Sequence, residues 1–312
     1  MNKLKVFVSV LLTLALVLVT IKNWGTIDAG LQVLAGAPIG LLLAALLLLL
    51  LTFMLAALSY KLLALHTLSF RRLILVELAA AAVNRLVPAG LGGLGLNGWN
   101  LLRHKHSGAQ ATAVISTNNL LGVGMHILAL CIMIGLGYGG LPRQVTLHSG
   151  VLALSIFGAL LVATAGLIFR TKIHRFLRNV WQSLLQYKKR PLQLGVAAAT
   201  QLALTGCNVL ILQLSLVAAQ VNMRLSAVFM VYSLGVLLGS LTPTPGGVAG
   251  VEAGLAGGLV AYGAPLELAA AAVIAFRVVT FWLPIVPGGM ALLWLQKQGL
   301  LKGARGHIMK AV

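Results

Sequence analysis

Negative charge is almost absent from this sequence. The chain has only four acidic residues against 23 lysines and arginines, and charged residues of both signs make up 9% of it. Hydrophobic residues make up 60%, and the mean hydropathy is +1.01. An ordinary soluble domain carries about 25% charged residues, so a soluble fold is excluded. In a soluble protein the basic excess would suggest nucleic acid, but here basic residues separate apolar runs, and we expect no nucleic-acid partner.

Catalytic and metal-binding motifs are also missing. With a single aspartate, Asp28, the chain has no D-x-D motif, and it has neither an H-E-x-x-H motif nor a Walker lysine. Its two cysteines, Cys131 and Cys207, lie inside apolar runs and support neither a disulfide framework nor a metal site. The stretch GLGLNG at 93–98 fits the dinucleotide pattern, but no strand pattern precedes it and no acid follows it before Glu252. We therefore expect no enzyme activity, no cofactor and no metal.

Apolar runs long enough to cross a bilayer recur along the chain. About 20 apolar residues span the hydrocarbon core of roughly 30 Å. The first run lacks a small-residue cleavage site, so we interpret it as a retained span, with a secretory signal peptide as the alternative. The pattern predicts an all-α integral membrane protein in which 1–312 form one polytopic membrane domain. The six predicted full spans are 6–21, 38–60, 109–137, 150–169, 192–219 and 268–296.

Two further apolar stretches, 73–102 and 226–262, are interrupted by glycine and proline. Irregular backbone at membrane depth is tolerated only where it faces protein or a water-filled cavity. We interpret each stretch as a re-entrant broken-helix hairpin that returns to its own side, although two full spans per stretch would give the same sidedness. Prolines end the half-helices because they cannot donate a ladder hydrogen bond, and glycines allow the turns. The proposed turn residues are Pro88 and Gly92 in the first hairpin and Pro243, Pro245, Gly246 and Gly247 in the second.

The breaks recur at a fixed spacing. Pro88 and Pro243 lie 155 positions apart, and so do Gly92 and Gly247. We therefore divide the chain into a first repeat, 1–149, and a second, 150–299. Three full spans in each repeat would invert the second relative to the first, so that the two hairpin tips meet near the midplane, as in inverted-repeat transporters.

The basic residues predict the orientation. Eighteen of the 23 lysines and arginines fall on one side of the predicted spans, and only Lys22, Arg143 and Arg224 fall on the other. By the positive-inside rule, both termini are cytoplasmic. The basic segment 170–190 also carries an apolar helical face, which predicts a cytoplasmic interfacial amphipathic helix, with a solvated loop as the alternative.

Charged residues at membrane depth are the candidate site residues, because ionisable groups there are costly and usually functional. Glu252 follows the second turn, and Arg277 lies within the last span. Arg277 is suited to a phosphate or to Glu252, so a binding site and a structural ion pair both remain open. In the first hairpin Glu77 and Arg85 are weaker candidates. The predicted substrate-binding residues are Glu252, Arg277, Gly246, Gly247 and Arg85.

Two segments of the second half form a specific combination. PTPGGVAGVEAG (243–254) is followed by YGAPLELAAAAVIAFRVVTFWLP (262–284). This combination resembles the flippase-like transmembrane domain of the lysylphosphatidylglycerol synthetase family, in which a proline–proline–glycine–glycine turn precedes a glutamate and a later arginine-bearing aromatic span ends in proline. The matching residues are Pro243, Pro245, Gly246, Gly247, Glu252 and Arg277.

The first half is similar to that family only in outline. Many members carry a glycine–glutamate pair after the first-hairpin proline, whereas here Gly92 is followed by Gly93, and Asn97 stands near a basic position of the family. The resemblance covers roughly 70–137 and 225–290. Because the chain ends soon after its last predicted span, we expect a stand-alone member without the aminoacyl-transferase domain.

The resemblance implies that the protein translocates or binds a phospholipid or related anionic lipid in a prokaryotic plasma (inner) membrane. Membrane lipids are then the expected partners, and a homo-oligomer or an enzyme partner remains open. One alternative is a secondary transporter of a small solute. The other is a non-catalytic membrane subunit that assists a lipid-modifying or glycosyltransferase enzyme.

Overall fold

The computed structural model describes residues 24–85, 87, 91–138, 187–242, 244 and 246–298. All regular structure in these residues is helical. The helices are α1 (Trp24–Ala35), α2 (Ile39–Leu63), α3 (Phe70–Asn84), α4 (Leu91–Arg103), α5 (Gly108–Met133), α6 (Pro191–Ala218), α7 (Leu225–Leu241), α8 (Gly250–Ala261), α9 (Leu266–Arg277) and α10 (Ile285–Lys297). Short π-helical turns, Ile134–Tyr138 and Val278–Trp282, continue α5 and α9.

Four helical segments are long and apolar enough to cross a membrane. They are Ile39–Leu63, Gly108–Tyr138, Pro191–Ala218 and Leu266–Lys297, the last being α9 and α10 joined by their π-helical turn. They confirm the predicted spans at 38–60, 109–137, 192–219 and 268–296. The predicted spans 6–21 and 150–169, and the interfacial segment 170–190 up to residue 186, lie outside the described residues.

The long helices are apolar on every side, as expected for membrane spans. On α2, Ala45, Leu49 and Ala57 are buried against other helices, while Leu43 and Leu47 are 52% and 66% exposed. The buried face packs chiefly against α6. Because leucine lies on the exposed face of α2, that face suits lipid tails rather than water.

The two interrupted stretches each form a pair of short helices. Helices α3 and α4 pack against each other, and so do α7 and α8. These four helices have 12 to 17 residues, which is about 18–26 Å of helix and less than the hydrocarbon core. Their lengths agree with broken-helix hairpins.

A stripe of small residues brings α7 and α8 into close contact. A Cβ at Gly254 would lie 2.8 Å from the Cα of Gly235, and one at Gly258 would lie 3.1 Å from the side chain of Val231. Gly250 faces Thr242 in the same way. The glycines that repeat every four residues along α8 are therefore packing positions, which keep the second hairpin narrow.

Two contacts connect the last span, one to the first hairpin and one to the N-terminal part. Helix α10 packs on α3, where the backbone of Gly288 meets the carbonyl of Leu78. Helix α1 packs on α9, where Gly30 meets Ile274. Helix α1 lies between the predicted spans 6–21 and 38–60, where no element was predicted.

Candidate functional site

The turn of the second hairpin depends on left-handed backbone. Gly246 and Gly247 have φ values of +64° and +66°, a region that favours glycine. Ala249 has a φ of +73°, which is unfavourable for a residue with a Cβ. A Cβ at Gly246 would collide with the ring of Phe281, so this glycine also lets the turn approach the π-helical turn after α9. Pro243 and Pro245 lie outside the described residues.

Glu252 and Arg277 form an ion pair beside this turn. Arg277 Nε lies 2.6 Å from Glu252 Oε1, with side-chain exposures of 11% for the arginine and 32% for the glutamate. The two atoms are close but not aligned for a hydrogen bond, and Glu252 Oε2 accepts none from the described residues. The pair therefore retains hydrogen-bonding capacity for another group.

The same arginine also contacts the turn and an aromatic ring. Its Nη2 donates to the carbonyl of Gly246 at 3.2 Å. Its guanidinium carbon lies 4.4 Å from the centre of the Phe281 ring, within the range of a cation–π contact. Arg277 thus links α8, the second turn and the π-helical turn after α9.

Arg85 reaches the same place from the tip of the first hairpin. It caps the C-terminal end of α3. Its Nε and Nη2 donate to the carbonyls of Phe281 and Thr280, both at 2.5 Å, and its Nη1 donates to the carbonyl of Ala81. Its guanidinium carbon lies 5.1 Å from the Phe281 ring centre. Both hairpin tips therefore meet at Phe281.

One of the carbonyls that receive Arg85, that of Thr280, is available because a proline lies four positions after it. In an α-helix the carbonyl of Thr280 would accept from the residue four positions later, which is Pro284 and has no N–H. The π-helical turn instead bonds the N–H of Leu283 to the carbonyl of Val278. This role of Phe281 and Pro284 was not predicted from the sequence, although a proline within a span was the available signal.

The predicted site residues divide into two groups. The structure brings together Arg85, Gly246, Glu252 and Arg277 around Phe281. The remaining described residues pack within their own hairpins. Gly247 lies against Gly239, Gly92 lies against Val83, and Pro88 is outside the described residues.

Glu77 is not part of this cluster. Its Oε1 accepts from the Nδ2 of Asn97 at 2.9 Å. Arg85, eight positions further along the chain, instead turns towards α9. Arg85 does not pair with Glu77, because it lies past the end of α3 and its side chain donates to carbonyls of the π-helical turn.

The site's charge pattern is two guanidinium groups and one carboxylate. The ionised cluster has a formal charge of +1, so it suits a group with negative charge. Guanidinium groups bind phosphate or carboxylate with a planar set of donors.

The sequence matches the family described as the lysylphosphatidylglycerol synthase TM region over residues 5–288. The chain belongs to this family. No protein of curated function matches the sequence. The match includes α1 to α9 and the start of α10, so it covers both hairpins and the site around Phe281. Together with the long apolar helices, it establishes a membrane protein.

Proposed function

We propose that this protein is a lipid flippase-like protein that holds an anionic phospholipid headgroup at the hairpin tips and passes it across the membrane. The observation that carries the proposal is the convergence of Arg85 and Arg277 on Phe281, with Glu252 as the one carboxylate beside them. Two cations at one place in an apolar environment favour an anion. A phospholipid phosphate is the anion most available in a membrane.

The depth of Arg277 supports this assignment. It lies eleven residues after Leu266, the first residue of α9, and therefore about 16 Å along the helix. That is close to half of the roughly 30 Å hydrocarbon core. A charge at this depth costs at least ~2.5–3.5 kcal/mol on insertion scales. An anionic headgroup bound to Arg277 offsets part of that cost. In return, the arginine gives the headgroup a binding position between the two leaflets.

Glu252 supports transport rather than permanent binding. Because it already neutralises Arg277, an incoming phosphate must compete with its carboxylate for the same guanidinium. Such competition weakens the bound state and allows release on the other side. We propose that Gly246 and Gly247 keep the turn narrow enough for the headgroup to reach this pair.

The proposal includes the setting of the protein. The chain lies in a prokaryotic plasma membrane with both termini in the cytoplasm, and its hairpins are re-entrant units of an inverted repeat. It transfers lipid without a covalent step, so it is not an enzyme. Membrane lipids are its partners.

The test uses the whole chain in proteoliposomes that carry a trace of headgroup-labelled lipid. Label in the inner leaflet is protected from a membrane-impermeant quencher. We expect faster exchange of labelled phosphatidylglycerol than in protein-free vesicles, and slower exchange of a neutral diacylglycerol glycoside than of phosphatidylglycerol. Phosphatidylglycerol exchange equal to that of protein-free vesicles would contradict the proposal. Uptake of a small anionic solute instead would favour a solute transporter, and no transport of either would favour an accessory subunit.

A further inference from the structure

A separate polar cavity of about 360 Å³ lies between α2, α3, α4, α5 and α6. Its volume falls within the range of about 300–1,000 Å³ that is typical of small-molecule sites. The cluster around Phe281 does not line it. The polar side chains that line it and carry the argument are Glu77, Asn84, Asn97, Asn118, Asn119 and Gln201.

One face of α3 forms a wall of the cavity. Glu77, Ala80 and Asn84 are spaced as i, i+3 and i+7, so they share a helix face. Gly93 lets the next helix approach this wall. Its N–H donates to Asn84 Oδ1 at 2.6 Å, and a Cβ in its place would lie 2.7 Å from Asn84 Nδ2. The hairpin is therefore built tightly around the amide of Asn84.

Amide groups from the long spans form the opposite wall. Asn118 Oδ1 accepts from Ser59 Oγ at 2.7 Å and from Gln201 Nε2 at 3.0 Å. The same Nε2 lies 3.1 Å from Ser59 Oγ. This network fixes the two amides across α2, α5 and α6. Within the described part of the chain, Gln201 Oε1 accepts from no group, so one acceptor of this network remains for a ligand.

Glu77 supplies the single carboxyl group of the cavity. Its Oε1 accepts from Asn97, and no lysine or arginine of the described ranges forms an ion pair with it. Asn97 is 3% exposed, and its Oδ1 has no hydrogen-bond partner there. An unpartnered buried polar atom is costly. The cavity thus contains polar groups that its own protein neighbours leave unsatisfied.

We propose that this cavity binds a neutral, hydroxyl-rich group, such as a sugar or a polyol. Amide side chains both donate and accept, and so do hydroxyl groups, which makes the two complementary. A phosphate is disfavoured because no cation of the described residues lines the cavity and the ionised form of Glu77 would repel it. An ammonium group only donates, and would leave the amide N–H groups of Asn119 without acceptors. This site goes beyond the proposed function, because binding here does not require translocation.

The test is lipid binding to the purified full chain, measured by native mass spectrometry. The probes are a monoglucosyl diacylglycerol, phosphatidylethanolamine, and a diacylglycerol with the same acyl chains. We expect the glucosyl lipid to bind roughly tenfold more tightly than the diacylglycerol. Ala56→Leu takes up part of the cavity without removing a hydrogen bond and should weaken this preference.

Matched variants of amide residues test whether the preference for the glucosyl lipid arises in this cavity. Asn119 lines the cavity and makes no hydrogen bond with described residues, so Asn119→Ala should reduce the preference roughly 2- to 10-fold without disturbing the fold. Asn208→Ala is the control, because Asn208 lies outside the cavity lining and donates to the Leu204 carbonyl on its own helix. Glu77→Gln keeps an acceptor and should retain most of the preference.

The outcomes distinguish a free sugar from a lipid headgroup that carries the same hydroxyl groups. Competition by free glucose would identify a free sugar as the ligand, and its absence would identify a lipid headgroup, with the same hydroxyl chemistry in both cases. A glucosyl lipid that binds no better than diacylglycerol, or as well to Ala56→Leu as to the unaltered chain, would overturn the inference. So would preferred binding of phosphatidylethanolamine that Glu77→Gln abolishes. Failure of phosphatidylglycerol transport alone would affect only the proposed function.

Discussion

Arg277 and Glu252 stand 2.6 Å apart at the tip of the second hairpin, yet the glutamate side chain is about three times as exposed, at 32% against 11%. If the pair served only to hold two helices together, both charged side chains would be expected to be shielded from water and from ligands. Here the glutamate side chain is partly exposed and its buried Oε2 accepts no hydrogen bond from the described residues, while the guanidinium also contacts Gly246 and Phe281. We infer that Glu252 can be displaced from Arg277 by a ligand.

This difference leads to a prediction for Glu252→Gln. A static buried pair that loses one partner typically loses ~3–5 kcal/mol of stability. If water and lipid solvate the site, the thermal midpoint of Glu252→Gln should change little while the rate of lipid translocation falls. The comparison requires the thermal midpoint of the purified variant and its rate of lipid translocation in proteoliposomes.

The double variant Glu252→Gln, Arg277→Met is the control for the static pair. It removes both charges and keeps side chains of similar size. If Glu252→Gln alone is strongly destabilised, and the double variant recovers both stability and transport, the pair is structural and the headgroup binds elsewhere.

A second prediction concerns the close contact between α7 and α8. Gly254→Ala places a methyl group 2.8 Å from the Cα of Gly235, so the helices must separate. We expect a loss of ~1–3 kcal/mol, seen as a lower thermal midpoint. Gly257→Ala is the matched control on the same helix, because its Cβ meets nothing within 4 Å. Equal midpoints for the two variants would show that this contact does not stabilise the hairpin.

A third prediction follows from His106, which lies in the turn between α4 and α5. Its Nε2 accepts from the N–H groups of Leu65 and His66 at 3.1 and 3.3 Å, so the neutral ring fits this place. Burial lowers the pKa of His106 below its ordinary value, and the nearby His66 and His104 act in the same direction while carbonyl contacts oppose it.

The sign of the pH effect follows from this lowered pKa. Above about pH 6.5 both the folded and the unfolded chain hold a neutral imidazole, and the stabilising contacts are complete. As the pH falls below that value, the unfolded chain binds the proton first, so folding becomes less favourable. We expect the thermal midpoint to fall on acidification from pH 7.5 to 5, and to fall less in His106→Gln. Parallel profiles for the two proteins would exclude His106 as the cause.

Sidedness gives a fourth prediction. In a chain without Cys131 and Cys207, a single cysteine at Arg224 should react with an impermeant thiol reagent added outside cells. A single cysteine at Lys189 should not. Both positions are exposed, so their reactivity reports the side of the membrane rather than burial. Labelling of Lys189→Cys but not of Arg224→Cys would show that the orientation is the reverse of the predicted one.

Much of the helical architecture could be predicted from hydropathy, because each long span needs apolar residues on all sides. The prediction of 38–60 corresponds to α2 at Ile39–Leu63, and 192–219 corresponds to α6 at Pro191–Ala218. Helix α1 could not be predicted this way, since its packing depends on the close approach of Gly30 to Ile274. That contact joins residues far apart in the chain.

Part of the candidate site could also be predicted from the sequence. Charges at membrane depth are rare in this sequence, so Glu252, Arg277 and Arg85 could be selected without a structure. The contact of Arg85 beside Phe281 depends in part on the Thr280 carbonyl that Pro284 leaves free, which is a backbone effect that composition does not show. The amide cavity escaped prediction because its groups come from helices far apart in sequence, as the bond between Ser59 and Gln201 illustrates.

The central claim is that Arg277 holds the lipid phosphate during translocation. The rate of phosphatidylglycerol exchange in proteoliposomes should fall roughly 10- to 100-fold in Arg277→Ala, because hydrogen bonds to charged groups contribute ~1.5–3 kcal/mol. Arg277→Lys should restore the rate only in part, since an ammonium cannot copy the guanidinium fork. Arg224→Ala, outside the site, should match the unaltered protein. Full exchange by a correctly inserted Arg277→Ala protein would contradict the account.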